Sequence, residues 1–306
     1  MKNIPFMGLS KRFFTISLVI IAVILLASLV LGVEMDVQFK GGSIISYSYE
    51  GDVDKDAFAG AARELTGANL SIQASTDIAT GRNTMVLTMP GTQSLTGEQM
   101  AAVTEGLRER FPDNNINTLS INNVSATMGA EFLAKCLTAV AVASLLMVIY
   151  VAFRFRRIGG WSAGVMGVVA LIHDVIVVYG VFVLLRIPLN GNFIAVVLTI
   201  LGYSLNDTIV IYDRIRENKK LLGDKMSLSD LVDLSINQSF RRTLNTTITT
   251  VLAMVVVTVV AFLYNVESII TFSGPMILGL VSGVYSSICI AGPLWVRWRN
   301  YRDAKA

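Results

Sequence analysis

FFTISLVIIAVILLASLVLGV, residues 13–33, is the stretch that decides the fold class. It carries no charge and lies between Lys11-Arg12 and Glu34. About 20 apolar residues are needed for a helix to cross a hydrocarbon core of about 30 Å at 1.5 Å per residue. The run is longer than the apolar core of a signal peptide, and no small-x-small site precedes Glu34. We therefore expect a retained membrane-spanning helix.

The rest of the chain has the same character. Of its 306 residues 53% are hydrophobic and only 15% are charged, whereas soluble domains carry about 25% charged residues. The mean hydropathy is +0.62. Apolar runs predict five further spanning helices, at 131–153, 161–185, 193–212, 246–263 and 269–296. These patterns predict an all-α membrane bundle of six helices.

Basic residues predict the orientation of these helices, because short loops rich in Lys and Arg stay cytoplasmic. Most of the 25 Lys and Arg residues lie in the tails or in the loops after the second and fourth helices. We therefore expect both termini to be cytoplasmic. The net charge of +3 is explained by this asymmetry, so we expect no nucleic-acid partner. The predicted cytoplasmic segments are the tail 1–12, the short loop that contains Arg154, Arg156 and Arg157, the loop 213–245 and the tail 297–306.

Residues 34–130 contain no spanning run and are expected to fold in water on the outer face. Alternating β-branched segments predict strands, and capped segments with helical apolar spacing predict helices. The order is β-α-β-β-α-β, a split-βαβ or ferredoxin-like α+β domain. It holds no His, Cys or carboxylate cluster suited to catalysis, so docking or binding is its expected role. The predicted strands are 42–49, 69–74, 83–89 and 116–124, and the predicted helices are 54–66, with Asp54 as cap, and the segment from Thr96 to Arg110.

Three ionisable residues stand out, two inside predicted spanning helices and one at the entry of another; a charge at a helix centre costs about 2.5–3.5 kcal/mol. Asp207 falls in the inner third of the fourth helix, and Asp174 falls past the middle of the third. Each is a candidate ion-coupling carboxylate, although Asp174 could instead pin neighbouring helices through hydrogen bonds. Arg242, at the entry of the fifth helix, either extends to the interface or pairs with Asp207. In the second case, protonation of Asp207 would release an arginine that stays charged.

Polar residues recur along the fourth helix. Thr199, Tyr203, Asn206 and Asp213 follow one another at spacings of four, three and seven, which places them on one helical stripe. Such a stripe must face protein or water, and it is a candidate proton path.

His173 is the one histidine of the chain. It is either a proton relay or a hydrogen-bonded structural residue. It need not share a site with Asp174, because adjacent helix positions point about 100° apart. Cys136 and Cys289 fall in apolar runs and indicate neither a disulfide nor a metal site.

The segment GYSLNDTIVIYDRIREN, residues 202–218, resembles the signature of the SecD/SecF family, in its SecF form, within the RND superfamily. Lys40 departs from the family pattern, which often has a small polar residue at this position, before Gly41 and Gly42. The likeness covers nearly the whole chain. Further matching segments are QFKGGS (38–43), MGAE (128–131), FRF (153–155), ALIHDV (170–175) and RRTLNTTITT (241–250).

The resemblance implies a half-transporter that pairs with SecD in a twelve-helix complex beside the SecYEG channel of the bacterial inner membrane. The family draws unfolded preproteins outward with proton flow. The resemblance implies membrane lipid as a further partner and no cofactor. By motif position, the titrating carboxylate maps onto Asp207, next to Asn206, and its arginine partner onto Arg242. The remaining motif positions are Gly41, Gly42, Arg214, Arg216, Glu217 and Asn218.

Two other functions are alternatives to this one. A small-molecule efflux half-transporter of the same superfamily is the alternative, but such proteins have twelve helices and two large outer domains. A structural subunit whose charges only hold helices together is a second alternative. An enzyme is not indicated, because the chain has no GxxxxGK[ST] loop and no nucleophile–base set. A carboxylate serves a proton or a sodium ion, so the sequence leaves the coupling ion open.

Overall fold

The structure is a computed structural model that describes residues 4–67, 70–76, 81–90, 96–222 and 225–305. Six long apolar helices form a bundle, and a small sheet with its own helices is inserted after the first of them. The helices are α1 (Phe6–Leu31), α2 (Val37–Lys40), α3 (Lys55–Thr66), α4 (Gly97–Arg110), α5 (Ala126–Arg154), α6 (Gly160–Leu184), α7 (Gly191–Leu222), α8 (Leu228–Leu263), α9 (Glu267–Ser286) and α10 (Gly292–Asp303). The strands are β1 (Gly42–Tyr49), β2 (Ser71–Thr76), β3 (Asn83–Pro90) and β4 (Asn117–Val124).

The bundle has inner and outer helices. Helices α6, α7 and α9 are buried over more than half of their apolar windows, whereas α1, α5 and α8 expose most of theirs. Leu29, Leu145 and Val256, one on each outer helix, are all more than half exposed. Exposed apolar surface of this extent is stable in contact with lipid but not in contact with water. The six apolar helices form a membrane helical bundle, as predicted.

The sixth spanning helix is continuous from Glu267 to Asp303 but contains a wider, π-helical turn at Ser287–Ala291. Pro293 lies just beyond this turn and has no N–H to donate to the carbonyl of Cys289, four residues back. A π turn of this kind reorients side chains within a helix and is found often at functional sites. Here Ser287 begins the turn and is fully buried against α7.

The inserted unit is a four-stranded antiparallel sheet in the order β2-β3-β1-β4. Alternate residues of β1 and β3, such as Tyr47 and Leu87, are fully buried against Phe58 of α3 and Leu107 of α4. The alternation predicted for residues 42–49 is therefore present in β1, where one set of side chains faces the core.

Both predicted helix caps of this unit are confirmed. Asp54 accepts from the N–H of Asp56, and Thr96 forms a capping box with Gln99. Asn69, with which the predicted second strand begins, lies outside the described residues.

Two helices extend well past the predicted spans, and the predicted loop 213–245 is not a loop. Helix α7 continues to Leu222, and α8 begins at Leu228, where Ser227 accepts from the N–H of Asp230. The prediction was wrong here because hydropathy marks only the apolar part of a helix. Helical hydrogen bonding continues into charged residues that favour it. For the same reason α1 starts at Phe6, inside the predicted tail 1–12, and α10 reaches Asp303.

The glycines of QFKGGS hold the sheet unit close to the bundle. Gly41 has φ +81° and Gly42 has φ +137°, and a Cβ on Gly41 would lie 2.6 Å from the backbone nitrogen of Ala126 at the start of α5. A Cβ on Gly129, in the MGAE segment, would lie 2.8 Å from the carbonyl oxygen of Phe39. The two segments therefore pack backbone against backbone, which only glycine permits.

Further contacts complete this junction, which we call the neck. The rings of Phe39 and Phe132 stack with their centroids 5.7 Å apart. The Oε1 atom of Gln38 accepts from the N–H of Gly191 at 2.9 Å, at the start of α7. The starts of α5 and α7 are thereby both in contact with the segment that leads into β1.

Candidate functional site

Asp207 lies inside the bundle, on the face of α7 that packs against α8 and α9. It is 6% exposed, and its carboxylate accepts a hydrogen bond from the hydroxyl of Thr247 on α8. No basic side chain pairs with it among the described residues. A buried carboxylate with a single hydroxyl donor is poorly compensated when ionised, which suits a group that takes up and releases a cation or proton.

Asp174, by contrast, is enclosed by donors. It is 0% exposed, and three serine hydroxyls donate to it. Ser282 donates to Oδ1 at 2.6 Å, whereas Ser204 and Ser286 donate to Oδ2 at 2.8 and 2.6 Å. These serines come from α7 and α9, so the carboxylate of α6 joins the three inner helices.

His173 contacts the same carboxylate, although the two residues are adjacent along the helix. Its Nδ1 lies 3.3 Å from Oδ1 of Asp174, and its ring packs against Tyr285, with centroids 5.8 Å apart. If this contact is a hydrogen bond to an ionised carboxylate, which only accepts, Nδ1 carries the proton. The buried Nε2 then has no partner among the described residues. The structure thus places His173 and Asp174 in one site, which the sequence had left open.

A narrow crevice lies between α7, α8 and α9 and connects the surroundings of the two carboxylates. Asp207 and Thr247 line it together with Ser204, which donates to Asp174, and it has no room for a water molecule. Gly279 and Gly283 form its α9 wall; a Cβ on Gly283 would lie 3.1 Å from Ser204. Close helix packing around the glycines therefore keeps the crevice dry in this conformation.

The predicted polar stripe of α7 faces outward. Thr199, Tyr203 and Asn206 are exposed on the surface of the bundle, and Asn206 makes no side-chain hydrogen bond to the residues that the structure describes. Tyr203 bonds Thr250 of α8 at 3.0 Å. Asp207 is on a different face and does not belong to the stripe. An amide exposed at this depth is costly in lipid, so this face is suited to contact with protein.

Arg242 lies on the exposed side of α8, on the opposite side from the face that carries Thr243 and Thr247. With Asn245 and Thr246 it lines an open groove. Its guanidinium forms no ion pair with Asp207 or with any other carboxylate in the described part of the chain. In this conformation the side chain is therefore exposed and does not pair with Asp207.

The charged motif residues at the end of α7 tie helices together. Asp213 is held by Arg154 of α5 at 3.1 Å and by Arg216 at 2.7 Å, so it belongs to this ion-pair cluster. Arg214 pairs with Glu217 and donates to Gln238 of α8. Asn218 is buried and donates to the hydroxyl of Ser235 at 2.9 Å and to Gln238 at 2.8 Å.

Sequence reasoning missed the hydroxyl partners of both carboxylates. Each of these partners lies four residues from a second hydroxyl residue on the same face of its helix: Ser204 from Thr208, Thr247 from Thr243, and Ser282 from Ser286. Such spacing within an apolar helix is a signal of inward-facing polar contacts. Thr208 also bonds Ser287 of the π turn at 2.9 Å.

Comparison with known families agrees with this arrangement. Residues 103–301 match the family model described as protein export membrane protein SecD/SecF, C-terminal. The chain belongs to the SecD/SecF family. The matched range contains both carboxylates, Arg242 and the whole bundle except α1.

Individual relatives carry protein translocase names. The protein translocase subunit SecF of Alicyclobacillus acidocaldarius is 33% identical over 301 residues, which is 97% of this chain and 93% of that protein. The SecDF subunit of Bacillus subtilis is 37% identical over 192 residues, or 62% of this chain and 25% of that one.

Two solved SecDF structures have the same fold. The SecDF of Thermus thermophilus superimposes with a TM-score of 0.79 at 30% identity over 97% of this chain. SecDF in a super-membrane-facing form gives 0.71 at 29% identity over 100% of it. This chain spans 39% and 40% of those two chains, respectively. A Sec translocase accessory subunit is the function that the relatives support, and they do not favour the efflux alternative.

Proposed function

We propose that this chain acts with SecD to promote the late stage of preprotein export across the bacterial inner membrane, using the proton motive force or a sodium gradient. The observation that carries the proposal is Asp207, a buried carboxylate with one hydroxyl donor beside a closed crevice. Moving one charge through 100 mV releases about 2.3 kcal/mol, enough to shift a two-state helix packing.

SecD is the proposed partner on the exposed polar face of α7. Thr199, Tyr203 and Asn206 would otherwise meet lipid. The relatives in which the chain matches only part of a longer SecDF protein support the same pairing. The SecYEG channel and an unfolded preprotein are the further partners that this role requires.

Arg242 is the proposed sensor of the coupling carboxylate. In the conformation described here it is exposed, one turn from Thr246, whose exposed hydroxyl bonds its own helix. In a second conformation, with the crevice open, the guanidinium reaches Asp207 when that group is ionised. Protonation breaks the pair and returns the helices to the closed packing.

Asp174 is the proposed second coupling carboxylate, with His173 as its relay. Ser204 supports this role, because it donates to Asp174 and also lines the crevice of Asp207. A proton that enters at Asp207 would therefore need only a short rearrangement of hydroxyl groups to reach Asp174.

The sheet unit is the proposed extracytoplasmic, ferredoxin-like domain. Its strand order and its two helices on one face support this assignment. With the domain outside, both termini are cytoplasmic. The neck formed by QFKGGS and MGAE is the proposed route by which helix motion reaches the domain.

The test is export of a secreted protein into membrane vesicles under an imposed proton or sodium gradient. Asp207→Asn should abolish the gradient-dependent part of export, Asp207→Glu should retain some of it, and Asp303→Asn, on the exposed end of α10, serves as control. Co-purification with SecD is measured in parallel. Full export by Asp207→Asn refutes the coupling role, whereas loss of export together with loss of SecD indicates a structural subunit.

A further inference from the structure

A cavity of about 870 Å³ lies at the basic end of the bundle, between the end of α5 and the last turns of α7. Its charged lining is mostly basic. The cations are Arg154, Arg156, Arg216, Lys219 and Lys220. Asp213 and Glu217 are the acidic residues of the wall.

The acidic residues of the wall are already neutralised. Asp213 lies between the guanidinium groups of Arg154 and Arg216, and Glu217 pairs with Arg214. Arg156, Lys219 and Lys220 have no carboxylate partner in the described part of the chain. The cavity therefore keeps an excess of positive charge. This excess does not stabilise the fold, because like charges held close together repel one another.

Aromatic rings hold the guanidinium groups in position. Arg156 lies over the ring of Phe153, 4.4 Å from its centroid. Arg154 and Arg216 lie 5.4 and 5.9 Å from the centroid of Phe155, which is fully buried. Such cation–π contacts reduce the freedom that a guanidinium would lose on binding an anion.

The level of the cavity across the membrane indicates which kind of anion it binds. Phe153, which lines the cavity, is 59% exposed, and Trp161, three residues after Ile158 of the cavity wall, is 64% exposed. Exposed aromatic rings of this kind mark the membrane–water interface, the level of the lipid headgroups. A lipid bound here would place its phosphate among the cations and its acyl chains along the exposed apolar face of α5.

We infer that this cavity binds the phosphate headgroup of an anionic phospholipid, which clamps the end of α5 to α7. Arg156, Lys219 and Lys220 contribute the charge, whereas Arg154 and Arg216 remain with Asp213 and shape the wall. Basic pockets between spanning helices bind anionic lipid headgroups in this manner. The inference does not depend on the coupling role of Asp207.

The test compares two triple variants of the full-length protein in nanodiscs. The cavity variant is Arg156→Gln, Lys219→Gln, Lys220→Gln. The control is Lys11→Gln, Arg12→Gln, Arg302→Gln, which removes the same charge from exposed positions at the same end of the bundle. Retention of phosphatidylglycerol and of phosphatidylcholine is measured by native mass spectrometry.

The cavity variant should retain phosphatidylglycerol on the order of 100-fold less tightly, because each of the three basic residues contributes about 1 kcal/mol to binding an anionic lipid. The control should change by less than about threefold, and neither should alter the weak retention of phosphatidylcholine. An equal loss in both variants means diffuse attraction and overturns the inference. Displacement of the lipid by millimolar inorganic phosphate or glycerol phosphate assigns the cavity to a soluble anion and overturns it too.

Discussion

The serine shell of Asp174 allows a prediction in which two similar substitutions differ in their effect. Oδ2 accepts from both Ser204 and Ser286, whereas Oδ1 accepts from Ser282 at 2.6 Å and, among the residues described, otherwise contacts only His173 at 3.3 Å. Removing Ser282 therefore leaves Oδ1 with one long hydrogen bond. Removing Ser286 leaves Oδ2 with the short hydrogen bond from Ser204, at 2.8 Å.

The magnitudes follow from the cost of unmaking a hydrogen bond to a buried charge, about 1.5–3 kcal/mol. Ser282→Ala should lower the free energy of unfolding by an amount near the upper end of that range. Ser286→Ala should cost about half as much, because Ser204 remains. The matched control is Ser144→Ala on the outer helix α5, whose hydroxyl bonds only its own helix at Val140; it should cost less than about 0.5 kcal/mol.

The assay is reversible unfolding of the purified protein in mixed micelles, repeated in an Asp174→Asn background. If the serines act through the carboxylate, the effect of Ser282→Ala should fall by at least half in that background, since the coupling term of the double-mutant cycle is then lost. An effect of Ser282→Ala no greater than that of Ser144→Ala would refute the reasoning. So would an effect that is unchanged by Asp174→Asn.

Two further predictions concern the coupling residue and the neck. Thr247→Val removes the hydroxyl partner of Asp207 and should alter the ion dependence of export with SecD still bound. The control Thr246→Val, at an exposed position, should leave export within about twofold of the unsubstituted chain. Vesicle export assays and co-purification with SecD check both variants, and equal effects would contradict the assignment of Thr247 as the partner. Gly67→Ala should cost about 1–2 kcal/mol, from the strain of a positive φ. Gly41→Ala should cost more, because Gly41 also has a positive φ and a Cβ there would in addition meet the backbone of Ala126. Thermal unfolding measures the difference, and equal losses of stability would mean that the neck is not tightly packed.

Local signals explain what was correctly predicted. The caps at Asp54 and Thr96 and the strand Gly42–Tyr49 were found where expected, because capping and alternation involve residues close together in sequence. Nothing local in the sequence, in contrast, explains the glycines of QFKGGS. For Gly41 the reason is the backbone of Ala126, more than eighty residues away.

The candidate site was only half predictable for the same reason. Hydropathy makes a charge in an apolar run conspicuous, so Asp174 and Asp207 stood out at once. It says nothing about which face of a helix is inward once several faces carry polar groups. The stripe of Thr199, Tyr203 and Asn206 was therefore identified, but its position on the outer surface of the bundle was not.

The sequence by itself determined that the chain crosses a membrane on six helices, which end is basic and which carboxylates lie inside, because transfer free energy depends on the composition of each segment alone. Only the tertiary structure decided what those carboxylates contact. Ser204, Ser282 and Ser286 are 30, 108 and 112 residues from Asp174 along the chain, and no local rule relates them. Their meeting is set by the packing of α6, α7 and α9, where glycines allow close approach and the buried charge requires donors on every side.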